Sequence, residues 1–458
     1  MTNSFRPKST HYANGIIAAI LILVPFHAFL TVWGASLVGH YTTLRLWDEM
    51  LLVGLSAICI GWLFKDKDLR KQLFNGLIFR LMLAYVLLTI ALGLIALSKH
   101  EVTMRAFLYA LVVNLRFFLF FIAVGLAVQR SSWLTRNWPK LVFIPSLVVS
   151  VFAVLQFSVL PHNFLGHFGY NAQTIAPFET INHNAKYIRV ESTLRGANPL
   201  GAYLVIILAL IGTLMLSMKK IRYSIIPFVI AGLALIFTFS RSAWIGAVIG
   251  LGLVVWLRLK TNRQRFIVGG ASLALVAILG GVYFGLRHNT AIENAVFHTD
   301  AHSQISVSSN QAHATALSSG LRDVFHEPFG RGPGTAGPAS EYNTGHPSRI
   351  AENYFVQIAQ EVGWAGLLLL LGIMATVSIE LYRSQDLPLA RGLLAALIGI
   401  TFVNLLSHAW VDDSLAYLWW GLAGIACAFQ PIAERATIDK HERNTNKSSA
   451  DKETTRNP

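Results

Sequence analysis

Apolar runs alternate with polar connections along almost the whole chain. A helix needs about 20 mostly apolar residues to cross a hydrocarbon layer. The pattern predicts such helices near 15–38, 46–64, 76–97, 106–127, 141–160, 199–217, 223–240, 242–257, 266–285, 354–380, 389–407 and 411–430. Backbone in lipid must satisfy its own hydrogen bonds, which an open sheet cannot do, so every span is expected to be helical. One polar interval is far longer than the rest: 286–353 follows nine runs, precedes three, and ends in GHPSRIAENYFVQIAQEVGWAG as the chain turns apolar again. A loop of that length is more often functional than idle. The expected architecture is an all-α polytopic membrane protein of about twelve transmembrane helices. Residues 1–430 form its membrane domain, 286–353 an outer loop, and 431–458 a polar tail too poor in apolar residues to order itself.

Composition sharpens this picture. The chain is 54% hydrophobic and 13% charged, against about 25% charged residues in an ordinary soluble domain. A net charge of +14 invites a nucleic-acid reading, but the basic residues are not gathered into one binding face. They fall on alternate connections: Arg6 and Lys8, Lys65 to Lys71, Arg130 to Lys140, Lys219 to Arg222, Arg258 to Arg265, Arg383 and Arg391, and the tail. That alternation places those connections and both termini in the cytoplasm. The other connections, including 161–198, the turn at Ser240–Arg241 and 286–353, then face outward. The first run exceeds a signal-peptide core and reads as an uncleaved span. Cys59 and Cys427 both sit in apolar runs, which argues against a disulfide scaffold or a thiolate metal site.

Cations on the outer side are the informative ones, because the orientation rule does not call for them. YIRVESTLRGANPLGAYL carries Arg189 and Arg195, and its Asn198-Pro199 turns into a helix. An anion there would meet guanidinium groups and free backbone N–H groups together. Arg241, in FTFSRSAWIG, sits where two spans are joined by almost nothing, and Arg116 lies mid-span in NLRFFLFF. A cation in either place needs an anion, carbonyls or a route to water. Glu352 and Asn353 stand at the start of a helix, where Glu352 can accept a hydrogen bond from, or act as a weak base toward, an incoming hydroxyl. Plainer roles are open for each: interface anchoring for Arg189 and Arg195, snorkelling for Arg241, a structural pair for Arg116, and a dipole-matching cap for Glu352. His298, Asp300 and His302 have metal-ligand spacing but no third ligand placed by sequence, and no metal or cofactor is expected. Asp66-Lys67-Asp68 has the form of a nucleotide-sugar DxD, but it lies among cytoplasmic lysines and reads as a solvated turn. There is no P-loop and no HExxH.

Taken together, these stretches resemble the O-antigen ligase and polymerase superfamily of bacterial membrane glycosyltransferases. The ligase branch shows His, then Asn, Ser or Gln, nine residues, Gly, two residues and Gly. Glu352, Asn353, Gly363 and Gly366 match that spacing, with Glu in place of His. The resemblance implies transfer of a glycan from an undecaprenyl-diphosphate carrier to an acceptor sugar hydroxyl, at the outer face of a bacterial plasma membrane. It implies no nucleotide sugar, catalytic metal or nucleic-acid partner. By the same resemblance Arg189 and Arg241 clamp the diphosphate and Glu352 orients or deprotonates the acceptor. Arg195, Asn198, Arg116, His346, Arg349 and Asn353 are the further substrate-binding candidates, His346 as a possible source of an imidazole. Glu for His tilts the expectation toward a polymerase. A ligase acting on lipid or protein hydroxyls and a transporter of a lipid-linked glycan are the alternatives.

Overall fold

Side chains that lose little rotamer freedom in a helix fill the apolar runs, and lipid leaves the backbone no other partner than itself. The computed structural model describes residues 8–181, 184–217, 222–267, 285 and 309–428. Its helices are α1 (Lys8–Val38, turned at Pro25), α2 (Trp47–Lys65), the short polar α3 (Lys67–Asn75), α4 (Leu77–Ser98), α5 (Met104–Arg130) and α6 (Trp133–Ser158). They continue as α7 (Ala197–Ser217), α8 (Arg222–Phe237), α9 (Arg241–Arg258), α10 (Ser309–His326), α11 (Tyr354–Arg383), α12 (Pro388–Asn404) and α13 (Asp413–Ala428). Among the described residues, helices coincide with eleven of the twelve expected runs. Eight of them are long and apolar enough to cross a membrane; α8, α12 and α13 are apolar but shorter. Most of the run 266–285, the segment 286–308 with His298 and His302, and the tail 431–458 lie outside the described residues.

Two features depart from the sequence expectation. The connection 161–198 folds back as an antiparallel strand pair, β1 (Glu179–Ile181) with β2 (Asn184–Arg189), in which Glu179 faces Arg189. The expectation of helix covered the apolar runs alone, and this segment lies between two of them. The long polar interval is also not simply a loop, because it contains α10, which packs on α11 through Leu317, Val324, Val356 and Ala359.

Helix α7 is the axis of the bundle, with every residue from Leu200 to Thr213 buried. Beside it α9 and α12 approach at backbone contact: a Cβ on Gly246 would lie 2.7 Å from the Gly399 carbonyl oxygen. Small residues are what allow helices to close to that distance in a membrane, where apolar side chains gain nothing by leaving lipid. Asp66 caps α3 by accepting from Leu69 N–H (3.0 Å) and pairs with Arg130 (2.9 Å), a structural use of the Asp66-Lys67-Asp68 turn.

The Gly- and Pro-rich stretch 328–343 does not wait open for a ligand. It docks into a break in α11 at Gly363, whose φ of 67° no other residue type would readily adopt. The break leaves helix carbonyls and an N–H without intrahelical partners, and the docked stretch supplies them. Arg331 N–H donates to the Gln360 carbonyl (3.0 Å), Gly332 N–H to that of Glu361 (2.8 Å), and Trp364 N–H to that of Pro328 (3.0 Å). The fully buried Glu361 carboxylate accepts from Gly334 N–H (2.8 Å) and Asn114 Nδ2 (2.9 Å), tying this stretch to α5. Stranding those two donors costs about 1–3 kcal/mol. Glu361→Ala is therefore expected to melt at lower temperature in detergent while still reaching the membrane fraction; an unchanged melt would show that the stretch docks without the carboxylate.

Candidate functional site

Three distant segments meet because one backbone hydrogen bond and one from the Arg189 side chain hold the end of β2 to the turn between α8 and α9. Val190 N–H donates to the Phe237 carbonyl (3.2 Å), and Arg189 Nε donates to that of Thr238 (2.9 Å). Two residues after Thr238, Ser240 begins α9, and Arg241 is its first helical residue. Stacking of Phe157 on Phe237 and the Trp244 Nε1 bond to the Leu235 carbonyl (2.9 Å) hold this tight turn in place. Arg189 is held on three sides: its Nη2 donates to Asn198 Oδ1 (2.6 Å), and its Nη1 pairs with Glu179 (3.2 Å). Burial pulls its pKa down and Glu179 opposes that. An arginine in such a setting keeps its charge.

The third segment precedes α11. Asn353 caps that helix, accepting from Val356 N–H (3.0 Å) and donating to the Leu405 carbonyl (2.9 Å), while Tyr354 N–H reaches the Ser407 carbonyl (3.0 Å). This fixes Glu352 with a φ of 51°, a strained value of the kind that gathers at functional sites. A cavity of about 500 Å³ lies between the segments, lined by Arg189, Asn198, Ser240, Arg241, His313 and Glu352 over an apolar floor that includes Leu405 and Leu406. Arg241 is close enough to Arg189 for their charges to interact. The sum is a cavity lined by two guanidinium groups and one carboxylate, suited to an anion that also presents a polar, protic group.

His313 was not singled out in the sequence. It sits on α10, its Nδ1 facing Glu352 Oε2. Burial first, and the Arg241 guanidinium second, lower its pKa below the ordinary histidine value. Only the amphipathic spacing of 309–326 could have pointed to it, and that spacing announces a helix, not a role.

The other sequence candidates lie elsewhere. Arg195 lines a much smaller cavity with Arg45, Asp412 and Asp413. Arg116 is buried in α5, bonded to Glu49 (2.6 Å) and the Val411 carbonyl (2.9 Å) and paired with Asp413. His346 Nε2 donates to the His100 carbonyl (3.1 Å) in a separate cavity of about 300 Å³ beside Glu101 and Arg331. Arg349 clamps α10, with Nη2 at 2.8 Å from both Asp323 and Glu327. Of the nine site candidates, the structure brings Arg189, Arg241, Asn198 and Glu352 to one cavity, with Asn353 as the cap beneath; Arg116, His346 and Arg349 make the contacts given above, and Arg195 lines a different cavity. The carboxylates of Asp48, Glu49 and Asp413 come within 4.8 Å of one another and could hold a metal, but Arg116 and His27 already pair with them away from the large cavity.

Glu179 carries two loads, the Arg189 pair and a bond from Ala197 N–H (3.2 Å) at the start of α7. Glu179→Ala is expected to loosen the hairpin and lower the melting temperature by the equivalent of about 1.5–3 kcal/mol, the usual worth of hydrogen bonds to a charged group. A parental melt would show that Thr238 and Asn198 hold Arg189 without it.

Residues 226–371 match a family model described as O-antigen ligase. The match runs from α8 into α11, so Arg241, His313 and Glu352 fall inside it, while Arg189 and Asn198 precede it. No curated protein matches the chain.

Proposed function

From a chain whose residues 226–371 match a family model described as O-antigen ligase, we propose a membrane glycosyltransferase that joins undecaprenyl-diphosphate-linked oligosaccharides, with Arg189 and Arg241 holding the diphosphate. The observation that carries this reading is the meeting of Arg189, Arg241 and Glu352 in one cavity, although they come from three separate stretches of chain. A diphosphate leaving group gains negative charge as its bond to the sugar breaks. Fixed cations therefore stabilise the transition state more than the ground state. Each charge-assisted hydrogen bond contributes about 1.5–3 kcal/mol, so two arginines can supply much of what a metal would. The Glu352 side of the cavity then receives the acceptor hydroxyl, with Asn198 holding Arg189 toward the phosphates.

The topology belongs to the same proposal. Twelve spans with both termini in the cytoplasm put the cavity at the outer face of a bacterial plasma membrane, where a polyprenyl tail stays in the bilayer while its sugars remain in water. Residues 1–430 would act as one membrane-embedded unit carrying a cytoplasmic tail. The description of the matched family as a ligase keeps a second reading open, the same chemistry on a lipid or protein hydroxyl. A ladder of products on a gel marks a polymerase; a single addition marks a ligase. The buried Arg116, Glu49 and Asp413 group is what a transporter of a lipid-linked glycan would use, but its charges are paired with one another.

Arg241→Ala is expected to reduce glycan transfer by about 100-fold or more, the usual cost of losing one charge-stabilising donor, with normal accumulation in the membrane. Parental product levels in that variant would remove the clamp from the account.

A further inference from the structure

We propose that His313 takes the proton of the acceptor hydroxyl and that Glu352 is its positioning carboxylate, so that the acceptor side of the cavity is a histidine–carboxylate pair assembled from two separate elements. The inference rests on the functional reading above and names the atom that reading left open. It starts from the pairing itself: Nδ1 of His313 faces Glu352 Oε2, and both side chains line the cavity that holds Arg189 and Arg241. A carboxylate at Nδ1 holds the hydrogen there and leaves Nε2 as the nitrogen with a free lone pair.

Helix α10 is docked firmly enough for its imidazole to be a fixed part of the site. A Cβ on Gly320 would fall 2.6 Å from the Ala351 Cβ and 2.8 Å from Val356 Cγ1, so α10 lies directly against the residue before Glu352. Asp323 accepts from Arg349 Nε (3.1 Å) and Gln360 Nε2 (2.8 Å), and Glu327 accepts from Arg349 Nη2 (2.8 Å). These bonds tie the far end of α10 to both the preceding segment and α11. Ala314 and Leu317, on the same helix, also line the cavity.

The step balances within the site. A lone pair of the acceptor oxygen forms the new bond to the anomeric carbon. The bond from that carbon to the diphosphate oxygen breaks, and its electron pair leaves with the diphosphate, toward the two guanidinium groups. The hydroxyl proton passes to His313 Nε2, and the imidazolium so formed faces the Glu352 carboxylate until water removes the proton. Beside His313 the charged groups are Glu352, Arg241 and Arg189. Burial and Arg241 depress its pKa, which favours the neutral ring that can accept a proton.

Transfer should accordingly fail at acid pH, as protonation removes the Nε2 lone pair, along a limb centred below the ordinary histidine value. Glu352→Gln takes away the carboxylate that favours the imidazolium, so its limb should move to still lower pH, with a slower plateau. His313→Gln should abolish the limb and lower kcat by about 100-fold or more, as expected for loss of a general base, with KM unchanged. Added imidazole should restore part of the activity of His313→Ala. The assay uses the purified full chain in lipid nanodiscs, with lipid-linked repeats extracted from source cells lacking this gene as donor. Parental kcat and an unchanged acid limb in His313→Gln would overturn the pair. So would a loss expressed in KM alone with no imidazole rescue, which marks a merely structural histidine. No transfer by the parent protein would overturn the functional reading, and the pair with it.

Discussion

The short staple between the end of β2 and the α8–α9 turn decides what this molecule can do. Arg189 reaches the Thr238 carbonyl, Val190 reaches Phe237, and Arg241 opens the next helix. Two like charges are thereby held around one cavity that Glu352 also lines, and bringing them together costs free energy. Glu179 and Asn198 offset part of that cost for Arg189. In the proposed function these two guanidinium groups are what would meet a diphosphate.

The Glu352 wall of the cavity depends on how the long polar interval is folded back. A break in α11 at Gly363 exposes backbone groups that the stretch 328–343 satisfies, with Glu361 as the buried anchor. That docking, together with the Arg349 clamp, sets α10 against the start of α11 and so places His313 beside Glu352. The carboxylate that is deepest in this region, Glu361, therefore serves the fold, and the more exposed one, Glu352, is available for chemistry. The Arg116 cluster supports the same division of labour: it binds α2, α5 and α13 together and leaves the large cavity to other residues.

How much of this was legible in the sequence follows from the range of the interactions. Spans announce themselves through local composition, and helices follow wherever described residues carry an apolar run. Arg189, Arg241 and Glu352 stood out because outward-facing charges beside apolar runs violate a local pattern. Arg116 and His346 violate it too, yet their partners lie far away in sequence: Arg116 meets Val411 295 residues on, and His346 meets His100 246 residues back. Nothing local distinguishes a charge with a distant partner from one facing a cavity. His313 shows the converse, a histidine on an ordinary amphipathic helix whose meaning comes from Glu352. The strand pair escaped for another reason, since the expectation of helix covered the apolar runs alone.

A structure of the full chain in nanodiscs with added undecaprenyl diphosphate would test the central claim most directly. The account predicts density for the diphosphate between the guanidinium groups of Arg189 and Arg241, with the polyprenyl chain leaving toward the bilayer. Diphosphate seated instead beside Arg331 and His346, or against Arg195 and Arg45, would contradict it.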